Sequence, residues 1–399
     1  MCERKGRPVA CQRETYVIFS ALFVPSMGGV ENYTLNVAQA LARRGHRVVV
    51  VTSDLGNAPV CERLAGGVEV VRLPSRSLLG GRLPISKRNR AYRHLFAELA
   101  ALPVDHVIVN TRFYPHSLAG LSFARSRGVT PVLIEHGSAH LTLGNPLLDR
   151  AVALYEHGIT VCVRGYDPVC YGVSRRSARW LSHFGLYSAG VLSNAIDAEA
   201  FRNRSSGRDF RAEHNIPAEA FVVSYIGRLI PEKGIEALLA AARIVKASCR
   251  EGRPIVFLLA GEGPLLPAVQ QCPSGRVVSL GRLAAEDVSA LLSQSDAMAL
   301  ISRSEGFATA LLECAAWGVP PVVTAVGGVE ELVPTADFGA VLPDGAPETV
   351  ARAVEALADD PEGARRRGSA LRALVEDAFS WERTAEAVER ACAAARARS

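Results

Sequence analysis

The stretch 297–324, AMALISRSEGFATALLECAAWGVPPVVT, decides the fold. Ala297–Ile301 is an apolar run of strand length, Thr309–Gly318 carries helix formers and closes on glycine, and Pro321–Thr324 returns to β-branched residues. Strand, turn, helix and strand in this order make a crossover between parallel strands. The polar turn at 302–308 then lies at the C-terminal end of a strand and ahead of a helix. Backbone N–H groups there attract anions.

Outward from this unit the same rhythm continues. Strands are expected at Phe221–Ile226, Ile255–Ala260, Val277–Leu280 and Ala340–Leu342, with helices at Lys233–Val245, Ala285–Leu292 and Pro347–Leu357. A polar break at 202–211, RNRSSGRDFR, precedes them. Before it a first series predicts strands at Tyr16–Phe23, Arg47–Thr52, Val68–Arg72, His106–Asn110, Val132–Glu135, Ile159–Val163 and Tyr171–Ser174. A helix at Glu31–Gly45 follows the first of them. The class is α/β: two parallel sheets in tandem, each covered by helices, with a crevice between. The boundary falls at 190–205. This divides the chain into 1–195, 196–379 and a C-terminal helix within 380–399 that crosses back to the first domain.

At 399 residues, with 49% hydrophobic and 21% charged residues, the chain is long and apolar enough for two packed cores. The net charge of +5 favours anionic ligands and anionic membrane surfaces. No nucleic-acid partner is expected. The nine cysteines (2, 11, 61, 162, 170, 249, 272, 314 and 392) include no CxxC pair. Free thiols in a reducing, cytoplasmic compartment follow, rather than a zinc site or a disulfide framework. Charged residues at 3–7 precede the apolar run 16–25, but that run leads into Met27-Gly28-Gly29 without a cleavage pattern. A first strand is therefore expected there, not a signal peptide. No apolar stretch reaches the length of a membrane span.

Several strand-to-helix turns carry residues suited to chemistry. Gly28 and Gly29 permit close approach of a ligand to the backbone, or only a tight turn; the spacing is not that of a dinucleotide fingerprint. Arg228 and Lys233 place two cations before a helix, where they suit phosphate oxygens or form an ordinary solvated loop. Glu305 and Glu313 are separated by seven residues, one in a loop and one on a helix. At helical rise that is about 12 Å, roughly the reach from a sugar to the ribose of a nucleotide sugar. Between them, Gly306 and the N–H groups of Phe307, Ala308 and Thr309 suit a diphosphate.

The run SEGFATALLECAAWGVPPVV resembles the E-x7-E signature of retaining glycosyltransferases of family 4, which have the GT-B fold. The resemblance extends over most of the chain. It includes GGVENYTLNVAQALARRGHRVVVVTSD at 28–54, NAID at 194–197, GRLIPEKGIEALLAA at 227–241 and LLAGEGPL at 258–265. GGVEELV at 327–333 and FSWERTAEAV at 379–388 complete it. It implies two Rossmann-like domains facing across a cleft, the first binding acceptor and the second binding a nucleotide-diphosphate sugar, with UDP the expected nucleotide. It also implies that Gly28 and Gly29 border the donor phosphates, that Arg228 and Lys233 hold the diphosphate, and that Glu305 meets the transferred sugar. Glu313 would meet the ribose. His136, in Ile134-Glu135-His136-Gly137, matches a histidine near the sugar, with His140 as the rival.

Ala308 and Ala195 stand where the family often has glycine; Ala308 still offers its N–H, and its methyl narrows the space around the sugar. The reaction implied is front-face transfer to a hydroxyl with retention, without a metal or other cofactor. The settings implied are cell-surface polysaccharide or glycolipid assembly, with a sugar or lipid-linked acceptor. A peripheral membrane contact is expected at 82–99, where Lys87, Arg88, Arg90 and Arg93 flank an apolar helical face. An ordinary amphipathic helix fits the same pattern. A sugar-nucleotide epimerase and a non-catalytic sugar-nucleotide sensor on the same fold are the alternatives, with an NAD oxidoreductase behind them.

Overall fold

A computed structural model describes residues 13–398, except 27, 57, 79, 80, 82, 143, 246–251 and 274. Cys2, Cys11, Cys249, the charged residues at 3–7, Met27 and Arg82 therefore lie outside the described residues. The first half contributes strands β1 (Thr15–Phe19), β2 (Arg47–Asp54), β3 (Cys61–Arg63), β4 (Glu69–Leu78), β5 (Leu83–Ser86), β6 (His106–Asn110), β7 (Val132–Glu135), β8 (Val169–Gly172) and β9 (Ser188–Val191). Their order is β3-β4-β2-β1-β6-β7-β8-β9, parallel except for β3 and β5, which run antiparallel to β4. The second half contributes β10 (Phe221–Ile226), β11 (Ile255–Ala260), β12 (Val277–Gly281), β13 (Ala297–Leu300), β14 (Pro321–Thr324) and β15 (Ala340–Leu342). These form an all-parallel sheet in the order β12-β11-β10-β13-β14-β15.

All five residues of β1 are buried, as are all four of β13, because helices cover both faces. This is why these strands read as unbroken apolar runs. The strand expected at Ile159–Val163 is instead the last part of a helix, Pro146–Arg164. Asn145 caps that helix by accepting from the N–H groups of Leu147 and Leu148, and Pro146 suits its first turn. A short β-branched run does not by itself separate strand from buried helix, and here the cap decides. Nor is 82–99 one amphipathic helix. It is β5 followed by helix Arg90–Ala100, capped by Asn89, whose side chain accepts from the Tyr92 N–H at 2.9 Å. Tyr92, Leu95 and Leu99 enter the core with Val49, Val51 and Phe123, so the apolar face expected to meet lipid is covered by the protein itself.

The chain crosses between halves twice, side by side. Ile196 N–H donates to the Phe379 carbonyl at 2.9 Å, and Thr384 Oγ1 donates to the Ser193 carbonyl at 3.1 Å. Helix Trp381–Arg396 then lies along helix Gly29–Arg43 of the first half. Arg43 pairs with Glu382 at 3.1 Å, and both Arg44 and His46 pair with Glu389. Ala385, Val388 and Ala391 are buried where this helix packs, and their burial adds to the attachment, to which an exposed pair such as Arg43–Glu382 contributes about 0–1 kcal/mol. One apolar cluster runs through both halves, from Tyr16 and Tyr33 through Trp381 to Leu311 and Val350.

Candidate functional site

Two loops from different halves meet at the C-terminal ends of their strands. From the second half, the loop after β13 carries Ser302, Glu305 and Gly306. Glu305 Oε1 forms an ion pair with Lys233 Nζ and accepts from Ser302 Oγ at 2.8 Å. The Lys233 and Glu305 side chains are only 18% and 13% exposed, so the pair is largely withdrawn from water. Lys233 is placed by the 3-10 turn Pro231–Lys233, which ends at Gly234 (φ 69°). A Cβ at Gly234 would stand 2.1 Å from the Ile301 carbonyl oxygen, so only glycine lets this turn pack against the end of β13.

From the first half, the loop after β7 carries His136 and Ser138. Gly306 packs directly on the His136 carbonyl: a Cβ there would lie 1.6 Å from the oxygen. Three serines of the first half bind the backbone of the opposite loop. Ser138 Oγ donates to the Glu305 carbonyl; Ser174 Oγ and Ser177 Oγ donate to the Gly306 carbonyl at 2.7 and 3.1 Å. Arg179 pairs with Glu330 at the flank. The candidate loops are thus in contact.

His136 Nε2 lies 3.0 Å from Asn110 Oδ1, and its ring stands edge-on to Tyr33 with centroids 4.9 Å apart. Its backbone N–H and that of Gly137 donate to Glu135 Oε1 at 2.9 and 2.8 Å. Burial pushes the His136 imidazole down to about 3. It is neutral at working pH; with Nε2–H directed to Asn110, Nδ1 keeps a lone pair for a hydroxyl donor. His140 instead contacts Glu156 and His183, which separates it from its rival.

Other residues named from sequence divide into two groups. Glu313 and Thr309 line a cavity of about 320 Å³ together with Asn32, Asn36 and Arg204. Burial pushes the Glu313 carboxyl up to about 7, with Arg204 pulling the other way. Gly28 and Gly29 begin helix Gly29–Arg43, which has no side-chain cap among the described residues, and none of these comes within 4 Å of where a Gly29 side chain would point. The Arg228 side chain is exposed, and among the described residues its guanidinium has no ion-pair partner.

Phe307 and Ala308 are different: both are buried, with Phe307 packed toward Phe379 at 6.3 Å. The Ala308 N–H, expected to serve a phosphate, donates to the Gly327 carbonyl at 3.0 Å. The loop after β14 has taken the donor that the sequence left free. Ser302, Ser138 and Asn110 were missed in the sequence. Asn110 ends a central strand at its carboxyl end, where ligands gather in such sheets, and that signal could have found it.

The profile described as Glycosyl transferases group 1 matches residues 207–373, and that of Glycosyltransferase Family 4 matches residues 27–200. A component of the phosphatidylinositol N-acetylglucosaminyltransferase of Homo sapiens is 28% identical over 350 residues, covering 82% of this chain and 66% of the human protein. A GDP-mannose-dependent alpha-(1-6)-phosphatidylinositol dimannoside mannosyltransferase of Mycobacterium tuberculosis is 27% identical, covering 90% of this chain and 91% of its own. Among solved structures, a sucrose-phosphate synthase from Thermosynechococcus elongatus superposes with TM-score 0.76 at 21% identity, covering 97% of this chain and 100% of its own. Anabaena HepE in complex with UDP and glucose gives 0.68 at 19%, covering 96% and 100%.

Proposed function

The chain belongs to the group 1 glycosyl transferases of family 4, with the GT-B fold, and from that premise we propose that it moves a sugar from a nucleotide-diphosphate sugar to a hydroxyl acceptor with retention of anomeric configuration. The observation that carries the proposal is the meeting of the Lys233–Glu305 pair with the His136 loop, one from each half. Residues 196–379 would bind donor and 1–195 acceptor. UDP is the proposed nucleotide, supported by the UDP-bound fold relatives; the GDP-mannose-dependent relative makes GDP the competitor.

In this reading Lys233 and Arg228 neutralise the diphosphate, the group whose charge grows as the glycosidic bond breaks. Lys233 turns from Glu305 to phosphate when donor binds. Glu305 is then released to accept hydrogen bonds from sugar hydroxyls, and Ser302 keeps it oriented. The N-terminus of helix Gly29–Arg43, at Gly28 and Gly29, faces the phosphates; Gly306 and Thr309 border them, and Glu313 accepts from ribose hydroxyls. Phe307 and Ala308 support the loop from the core rather than touching donor. The leaving phosphate oxygen takes the acceptor proton as the new C–O bond forms on the same face. His136, neutral, orients a hydroxyl and cannot act as general acid.

A lipid-linked acceptor in cell-surface assembly is the proposed class, with the protein peripheral to the cytoplasmic side of a membrane. Exposed Leu147, Leu148, Leu154 and Val161 on helix Pro146–Arg164 offer the apolar surface that Arg90–Ala100 does not, and the human and mycobacterial relatives both carry phosphatidylinositol in their names. No helix among the described residues is long and apolar enough to cross a membrane.

The test is a UDP-, GDP- and ADP-sugar panel with vesicle-borne and soluble acceptors, with parent and Glu305→Gln proteins in parallel and product anomers read by NMR. Retained product, and a fall in kcat of about 100-fold or more in Glu305→Gln with donor Kd nearly unchanged, is expected. An inverted product, epimerised donor, or binding without turnover would each overturn the reading.

A further inference from the structure

His140 belongs to a second cluster. His140 in the loop after β7, His157 on helix Pro146–Arg164 and His183 on the 3-10 turn Leu181–Phe184 each offer a ring nitrogen, and these atoms lie within 4.8 Å of one another. The three rings form a triangle with centroid separations of 5.6, 5.1 and 5.0 Å. We propose that His140, His157 and His183 bind one divalent transition-metal ion of the Zn2+ class through their imidazole nitrogens, with solvent completing a four-coordinate shell.

One edge of this site already has ligand spacing. His140 Nε2 and His183 Nε2 are 3.1 Å apart. Two nitrogens at about 2.0–2.1 Å from a tetrahedral metal stand about 3.3 Å from each other. His157 and His183 are exposed, so their rings can turn to close the remaining distance.

The outer side of His140 fits the same purpose. Its Nδ1 lies 3.2 Å from Glu156 Oε2. A proton on Nδ1 donates to that carboxylate and leaves the Nε2 lone pair facing the cluster, the arrangement that orients and strengthens an imidazole ligand. Glu156 is itself fixed: it accepts from Arg112 at 2.8 Å and from the Leu141 N–H at 2.9 Å. Trp180 stacks on His183 at 4.6 Å and Phe184 stands against all three rings. Simple aromatic packing accounts for these ring contacts. It does not account for converging nitrogens with a buried carboxylate behind one of them.

Three imidazoles without a carboxylate or carbonyl ligand select Zn2+, Co2+, Ni2+ or Cu2+ over Mg2+ and Ca2+. A bound ion would tie the loop after β7 to helix Pro146–Arg164 and to the turn at 181–184. Arg112 lies between Glu156 and Glu135, and Glu135 holds the His136 and Gly137 N–H groups, so the brace reaches the candidate site. This site does not depend on the glycosyl-transfer reading.

The experiment is titration of untagged, metal-stripped full chain with Co2+, followed by its visible d–d absorption, and with Zn2+ by calorimetry and competition. One equivalent with tetrahedral Co2+ bands displaced by Zn2+ is expected, with no response to Mg2+. His157→Ala and His183→Ala, both at exposed side chains, should each weaken Kd by about tenfold or more with circular dichroism unchanged. Cys162→Ser, removing an exposed thiol on the same helix, should bind as the parent does. No saturation at one equivalent, binding that survives both histidine variants, or binding lost in Cys162→Ser would each overturn the proposal.

Discussion

Glu313→Gln separates the electrostatic cost of the second signature carboxylate from its use. Burial raises the Glu313 carboxyl from 4.5 to about 7, so ionising it inside the fold costs about 3 kcal/mol at 1.36 kcal/mol per pH unit. The sign follows from linkage. A carboxyl raised in the folded state binds its proton more tightly there than in the unfolded chain, so its contribution to stability is full below pH 4.5 and is lost as pH rises to about 7. Glutamine removes this dependence and keeps a carbonyl acceptor. Relative to parent, the variant should therefore gain stability between pH 5 and 8, reaching about 3 kcal/mol at most, or about 4 °C in Tm for a protein of this size. Thermal unfolding at closely spaced pH values checks this. Nucleotide binding moves the other way: the parent should bind UDP more tightly as Glu313 ionises near pH 7, and Glu313→Gln should bind weakly and without that step. Parallel Tm curves for the two proteins across pH 5–8 would refute the reasoning, because the carboxyl would then titrate normally.

Two further substitutions probe the meeting of the halves and the diphosphate. Gly306→Ala puts a methyl 1.6 Å from the His136 carbonyl oxygen, so the two loops must separate; kcat should fall about 100-fold while circular dichroism stays that of the parent. Unchanged turnover would mean that the loops do not meet this way in the active form. Arg228→Ala removes an exposed cation that engages no acid among the described residues, so stability should hold while UDP affinity falls about 10–100-fold and uridine affinity does not change. Calorimetry with both ligands distinguishes this from a general loss of binding.

The alternation of buried strands and amphipathic helices was legible because a sheet covered on both faces leaves an unbroken apolar signature. β6, β7, β10, β11, β14 and β15 have the bounds read from sequence. The short strands β3, β5 and β9 were not legible: half-exposed edge pairing leaves no such run. Helix Pro361–Ala378 was also missed, although Asp360 caps it by accepting from the Gly363 N–H and Pro361 opens it. Of the candidate site, Glu305, Lys233 and His136 could be named from strand-end position and family resemblance. The fate of the Ala308 N–H could not, because its acceptor at Gly327 comes from a different loop. The histidine triangle was equally hidden, since its members sit on a loop, a helix and a turn with no ligand spacing in the chain.

The end of β6 shows how the first half prepares its side of the cleft. Asn110, Thr111 and Arg112 are consecutive and serve three different ends: Asn110 holds the His136 ring, Arg112 lies between Glu135 and Glu156, and Thr111 turns the chain between them at φ 64°. A β-branched residue pays in strain for that backbone, of order 1–3 kcal/mol, and the bend is kept by the Thr111 N–H donating to the Ile134 carbonyl at 2.8 Å. Arg112 is 1% exposed, and Glu135 and Glu156 are no more exposed than that, so removing Arg112 would leave two buried carboxyl groups without their shared cation. Such a triad contributes little net stability over an apolar core of the same volume. What it does fix is direction: Glu135 orients the His136 and Gly137 N–H groups, and Glu156 orients His140 and Leu141. One strained turn therefore sets the angle of the loop that carries the first half's histidine, and a loop so constrained meets Gly306 in one register rather than several.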